Sequence, residues 1–352
     1  MARRALGRRG RRAGRARGAA RLPGARRRPG QLREGRGLSE LPRTGGVYYE
    51  RRGRGEPLLL ISGFAISAAV FEPVLAPYEE RFECILYDHR GAGRSRTTLR
   101  PLSIPELAAD AVRVLDDIGL ESAHVMGVSM GGMVAQEMAI RFPHRVRGLV
   151  LGCTTPGGPR AVRPALGELG SLALGSVSAL REEGRPWLAG ALFSERFRRE
   201  QPERVRELLG YFFRHRARPH GVAWHWWASV YHDTVSRLHR IQAPTLVFHG
   251  AEDRLSPLAN SQLLAARIPD AELALVPGAG HAYALERPEE SFELFRKWYE
   301  LRSPIEPGRR PQGIAARAEP LTRAFGLQVG ALRTGRSLVS LAAERVSVPG
   351  RR

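Results

Sequence analysis

The sequence predicts an α/β fold, a mostly parallel sheet flanked by helices, with an inserted helical cap. Three observations predict it. Short continuous apolar runs alternate with helical patterns between residues 44 and 301. A serine stands at the apex of a small-residue turn, Gly127-Val128-Ser129-Met130-Gly131, between one apolar run and a helix. The alternation then stops between about 155 and 240, where large aromatics gather in helix-compatible sequence. Strands covered on both faces read as continuous apolar runs rather than as alternation. Strands that alternate with helices pair in parallel, with the helices on both faces of the sheet.

The elements follow in order. Val47-Tyr48-Tyr49-Glu50 reads as a short strand, and Pro57–Ile61 as a compact apolar one ending at Ser62-Gly63. Cys84–Tyr87 forms the next and ends at Asp88. Ile104–Ile118 places Leu107, Ala108, Ala111, Val112 and Leu115 on one helical face. Ala123–Met126 leads into the serine turn, and the small residues Gly132–Ala139 continue it as a helix. Val146–Leu151, Thr245–His249 and Glu272–Val276 are the remaining strands, each followed by glycine or Pro-Gly. Ser261–Arg267 and Pro288–Leu301 read as helices, the second with Phe292, Phe295 and Trp298 at helical spacing. The inserted interval carries Trp187, Phe193, Phe197, Tyr211, Phe212, Phe213, Trp224, Trp226 and Trp227. Most of these aromatics are expected in a cap core, with a minority lining a pocket.

The chain of 352 residues is long enough for one core of about 250–300 residues with extensions at both ends. Its formal charge of +21 is not a property of that core. Residues 1–43 hold 15 Arg against two Glu, and residues 302–352 hold ten Arg against three Glu, so 44–301 is close to neutral. The first segment is a low-complexity mixture of Arg, Gly, Ala and Pro, expected to be disordered. An Arg-rich tail can bind nucleic acid or anionic lipid, but interleaved aromatics for base stacking are missing. An over-extended reading frame in a GC-rich gene accounts for the same composition, Lys297 being the single lysine. Residues 302–352 open on a Pro/Gly/Arg linker and continue as a weakly amphipathic helix, roughly Leu321–Val346. No 18-residue apolar run predicts a membrane span, and residues 1–30 lack the apolar stretch of a secretory signal. Cys84 and Cys153 have no paired or metal-ligand spacing, so they read as small buried hydrophobes in a reducing, cytoplasmic compartment.

The serine turn carries the chemistry. A strand-turn-helix apex exposes a hydroxyl at a helix N-terminus, where N–H groups and the dipole favour developing negative charge. A serine hydroxyl is a weak nucleophile and needs a base, and the base needs an orienting acid. Asp253 and His281 follow in the chain order expected on this architecture, each just past a strand. Glu252 is the rival acid beside Asp253. A tetrahedral intermediate needs two N–H donors. Met130, next to the serine, supplies one, and the loop Ser62-Gly63-Phe64-Ala65 supplies the other, from Phe64. This chemistry calls for no cofactor and no metal.

Residues 45–301 resemble the α/β-hydrolase superfamily, within it the compact capped group of 3-oxoadipate enol-lactonases, haloperoxidase-like esterases and meta-cleavage C–C hydrolases. The residues that carry the resemblance are Ile61–Phe64, Tyr87–Ser95, Gly127–Gly132, Ala243–Asp253 and Gly278–His281. It implies Ser129 as nucleophile, His281 as base and Asp253 as orienting acid. It also implies a small ester or lactone as substrate, cleaved through an acyl-enzyme. A C–C bond hydrolase with the same triad is the alternative, and a non-catalytic binder acting through its Arg tails lies outside the enzyme class. Ser62 departs from the family, in which many members carry histidine before the oxyanion-loop glycine. Asp88 and Arg90 are read as structural residues of a turn. The sequence leaves the oligomeric state open.

Overall fold

The computed structural model describes residues 43–164, 185–215 and 217–302. The tail readings for 1–42 and 303–352, including the helix expected at 321–346, lie outside the described residues, as do 165–184 of the inserted interval.

Eight strands form one sheet: β1 (Arg43–Thr44), β2 (Val47–Gly53), β3 (Glu56–Ile61), β4 (Phe82–Tyr87), β5 (Ala123–Val128), β6 (Val146–Gly152), β7 (Thr245–Gly250) and β8 (Ala271–Val276). Their spatial order is β1-β2-β4-β3-β5-β6-β7-β8. The first two are antiparallel and every pairing from β4 to β8 is parallel. The two-residue β1 has no apolar signature, and only its pairing with β2 reveals it.

Parallel pairing aligns the strands' C-terminal ends along one rim. Ile61 registers with Gly127, Gly127 with Leu151, Gly152 with Phe248, and Gly250 with Val276. Open parallel sheets bind ligands along such a rim. Along β3 the side chains alternate between two buried layers: Leu59 and Ile61 join one, Leu58 and Leu60 the other. The first layer is closed by α2 (Ile104–Asp117) and α3 (Met130–Arg141) through Leu107, Ala111, Val134 and Met138. The second is closed by α9 (Tyr283–Glu286) and α10 (Pro288–Arg302), with Phe295 and Trp298 among its largest buried side chains. Each such side chain taken fully from water contributes about 1.5–3 kcal/mol. Helix α2 begins with a cap in which the Ser103 N–H and hydroxyl both donate to the Glu106 carboxylate, at 3.0 and 2.8 Å. The short helix α1 (Ala76–Glu79) precedes β4, and α8 (Leu258–Arg267) joins β7 to β8.

Between β6 and β7 lie four described helices: α4 (Arg185–Leu192), α5 (Glu195–Glu200), α6 (Pro202–Phe213) and α7 (Pro219–Val230). They sit over the rim. Phe212 of α6 and Leu192 of α4 are buried in the second layer, whereas Trp187, Trp227, Val230 and Tyr231 are exposed. No helix among the described residues is long and apolar enough to cross a membrane.

Candidate active site

Ser129 closes β5 and precedes α3 with φ 57° and ψ −121°, outside the conformations open to most side chains. Its backbone is held there from several directions. Its N–H donates to the Gly152 carbonyl at 2.8 Å, and its own carbonyl accepts the Gly132 N–H at 2.9 Å and the Thr154 hydroxyl at 2.7 Å. The flanking glycines are there because backbone passes where a Cβ would be. A methyl on Gly127 would overlap the Gly131 carbonyl, and one on Gly131 would overlap the carbonyls of Ile61 and Ser62. The turn is thereby pressed against the end of β3. A Cβ placed on Gly63 would lie 3.4 Å from the Ser129 Cβ, which brings the loop after β3 beside the serine.

Asp253 lies in the loop after β7 and His281 in the loop after β8. The His281 Nδ1 lies 2.9 Å from Asp253 Oδ2, and both side chains are almost wholly buried. The other carboxylate oxygen accepts the N–H groups of Leu255 and Ser256, each at 2.8 Å. Burial alone would raise the Asp253 pKa. The charge and hydrogen bond of His281, with the Ser256 N–H, outweigh it and hold the carboxyl below its usual range. A carboxylate only accepts, so the facing Nδ1 carries a proton, and whenever the ring is neutral the lone pair falls on Nε2. Glu252, the neighbouring acid, is exposed.

Ser129, His281 and Phe64 line one cleft that opens to solvent. Met130 is the first residue of α3, so its N–H has no intrahelical acceptor. Neither the Phe64 nor the Met130 N–H finds an acceptor among the described residues. The described cleft wall is apolar, with Val70, Phe71, Leu188, Phe212 and Val222 among the lining residues and no lysine or arginine among those described. Asp88 is fully buried and binds the Ala68 N–H, the Arg94 N–H and the Arg94 guanidinium, while Arg90 pairs with Asp110. Both therefore brace the loop after β4.

The sheet order, the strained serine turn and the Asp253–His281 pair decide the family, and the sequence agrees. The α/β hydrolase fold profile matches residues 56–288. The chain belongs to the α/β-hydrolase family. It is 33% identical over 251 residues to the RutD protein of Azorhizobium caulinodans, named as a carbamate hydrolase, covering 70% of this chain and 92% of that protein. Among solved structures, a thermophilic esterase from Thermogutta terrifontis superposes with a TM-score of 0.62 at 26% identity, covering 73% of this chain and 93% of its own. Est816, described as an N-acyl homoserine lactone degrading enzyme, gives 0.59 at 31% identity, covering 71% and 96%.

Three residues of this α/β hydrolase had no functional signal in the sequence. Cys153, at the end of β6, has a positive φ of 45°, and its Sγ accepts the Gly250 N–H at 3.4 Å. Its Sγ, an Asp253 oxygen and a His281 nitrogen lie within 4.8 Å of one another, which is within the reach of a metal ion. The donor set fits a hydrogen-bonded array better. Asp253 is already committed to three N–H donors, and burial, with Asp253's charge, pushes the Cys153 thiol well above its ordinary range. Glu286 is buried and accepts the Gly280 N–H at 2.8 Å and both the N–H and hydroxyl of Ser194. It ties the loop that carries His281 to the start of α5. Burial raises its pKa against those three donors. His225, on α7, is the third.

Proposed function

We propose that the protein is a serine hydrolase that cleaves a carboxylic ester or lactone of a small, largely apolar substrate through an acyl-enzyme on Ser129. One observation carries the reading. A serine in a strained apex conformation shares an apolar cleft with a histidine whose far nitrogen is bound to a buried carboxylate. Strain of this kind persists where the surrounding structure over-determines it, and functional sites are where it gathers. The esterase and lactonase named above support the same bond type.

In this mechanism the Ser129 Oγ attacks the carbonyl carbon while its proton passes to His281 Nε2. The carbonyl electrons move to oxygen, which the N–H groups of Phe64 and Met130 hold. Each such donor contributes roughly 3–4 kcal/mol to lowering the barrier. Collapse expels the alcohol, which takes its proton from His281. Water then gives a proton to His281 and attacks the acyl carbon. The acid leaves, and the proton returns to Ser129. Asp253 holds the imidazole in the required tautomer throughout. The chemistry requires no cofactor. We place the enzyme in the cytoplasm on its two unpaired, buried cysteines.

The test is labelling with a fluorophosphonate probe beside Ser129→Ala, followed by a panel of esters of rising acyl length. Labelling of the wild type that is lost in Ser129→Ala, with turnover of medium acyl chains, is expected. Folded protein that escapes the probe overturns the assignment. Labelling without ester turnover moves it to the C–C hydrolase reading.

A further inference from the structure

His225 reaches from the inserted helices to the loop expected to bind the oxyanion. Its side chain is fully buried in the middle of α7. One turn earlier Gly221 lets the helix lie flush on the loop after β4, because a Cβ there would overlap the Gly91 carbonyl. The imidazole then spends both nitrogens on backbone. Nε2 lies 2.7 Å from the Arg90 carbonyl, and Nδ1 accepts the Ala65 N–H at 3.1 Å. A carbonyl only accepts and an N–H only donates, so the tautomer is set, with the proton on Nε2. Burial lowers the ring's pKa to about 4, in keeping with a neutral ring that has a lone pair to offer.

What the ring holds is a short stretch of loop. Ala65 has a positive φ of 56°, a conformation that costs a non-glycine residue. The Phe64 ring meets the His225 ring edge-on, with centroids 6.3 Å apart. On the other side His89 binds the Ser62 carbonyl at 3.0 Å through its Nε2, and its ring stands edge-on to His225 at 5.8 Å. The Gly63–Phe64 peptide therefore lies between two anchored points, the Ser62 carbonyl and the Ala65 N–H. An apolar side chain would fill the same space without desolvating two ring nitrogens. The imidazole's distinct contribution is its two backbone bonds, of which the one to Ala65 reaches the oxyanion loop.

We propose that His225 is a positioning residue for the oxyanion loop: from α7 it anchors the Ala65 N–H and so fixes the neighbouring peptide that presents the Phe64 N–H. The inference rests on the serine-hydrolase reading. It goes beyond it by making the donor geometry depend on how α7 is seated.

The experiment compares wild type with His225→Ala, His225→Asn and His225→Gln on a p-nitrophenyl ester. It records kcat, KM, thermal midpoint and the affinity of a trifluoromethyl ketone, whose hemiketal oxygen occupies the oxyanion position. His225→Ala is expected to lower kcat by about 10–100-fold, a fraction of the loss from removing a donor outright, and to leave KM within about threefold. Ketone affinity should fall in parallel with kcat/KM. The Asn amide oxygen can take the place of Nδ1, so His225→Asn recovers most of kcat. The Gln amide reaches the place of Nε2, bonds Arg90 and leaves Ala65 without an acceptor, so His225→Gln recovers stability but not kcat. Recovery by Gln and not by Asn, a wild-type kcat in all three, or failure of all three to fold would overturn the proposal in favour of a purely structural anchor. Failure of the serine reading would be seen separately, as wild-type turnover that survives Ser129→Ala.

Discussion

Replacing Ser129 by glycine should make this protein more stable while abolishing its activity. The residue sits at φ 57° and ψ −121°, where a Cβ is strained and glycine is not. Strain of this type costs on the order of 1–3 kcal/mol. Against that, glycine gives the unfolded chain extra freedom worth about 0.4–1 kcal/mol. The bonds to Gly152, Gly132 and Thr154 use only the backbone of residue 129 and survive the change. The net expectation is a gain of about 1 kcal/mol, or about 2–4 °C in thermal midpoint for a domain of this size. Ser129→Ala is the control, because it removes the same hydroxyl and keeps the Cβ. Urea denaturation of the two inactive variants isolates the backbone contribution. If Ser129→Gly proves no more stable than Ser129→Ala, the apex is not strained and the argument from strain to function fails.

Other perturbations test other parts of the site. Asp253→Asn should lower kcat by about 10³–10⁴-fold, because an amide facing Nδ1 favours the wrong tautomer, whereas Glu252→Gln should leave ester turnover near wild type; steady-state kinetics of the pair separates the two acids. A hydrogen-succinate monoester should be cleaved at least about 100-fold less efficiently than a butyrate ester of the same alcohol, since the cleft's described wall offers no cation to a buried carboxylate; equal kcat/KM would refute the apolar-cleft reading. Three buried histidines should make the fold acid-sensitive. Burial lowers the pKa of His89 to about 3 and of His225 and His232 to about 4, while the unfolded chain takes up these protons near pH 6.5. The unfolded state thus binds more protons, so stability is present above about pH 6.5 and is lost as pH falls toward 4, at up to about 4 kcal/mol per pH unit for the three. Urea midpoints at pH 7, 6 and 5 should fall steeply, and a flat series would sink the assignment. Removal of residues 1–43 and 302–352 should leave ester turnover intact while abolishing any salt-dependent retention on DNA or anionic vesicles, and a folded, inactive truncation would contradict that reading.

The fold was legible because its signals are local. A strand buried on both faces has to be continuously apolar, and Leu58–Ile61, Ile85–Tyr87 and Leu246–Phe248 each meet that demand within a few residues. The serine turn was legible for a different local reason, since close backbone approach excludes every side chain at Gly127 and Gly131. Asp253 and His281 could be named because parallel strands deliver their loops to one rim. The faces of the cap helices were not legible. Helix α7 is apolar nearly all round, so helical spacing could not tell Val222, which lines the cleft, from the exposed Trp227 and Val230. Long-range partners were not legible either. His225 meets Ala65 across 160 residues, and Glu286 meets Ser194 across 92. Their placement gives the inserted helices a second relation to the chemistry besides walling the cleft. One helix bonds the loop beside Ser129, and the residue that caps another shares a buried carboxylate with the loop that carries His281. A substitution in the cap can therefore alter turnover without touching substrate, and comparisons of cap sequences among related hydrolases have to separate residues that face the cleft from residues that hold these two loops.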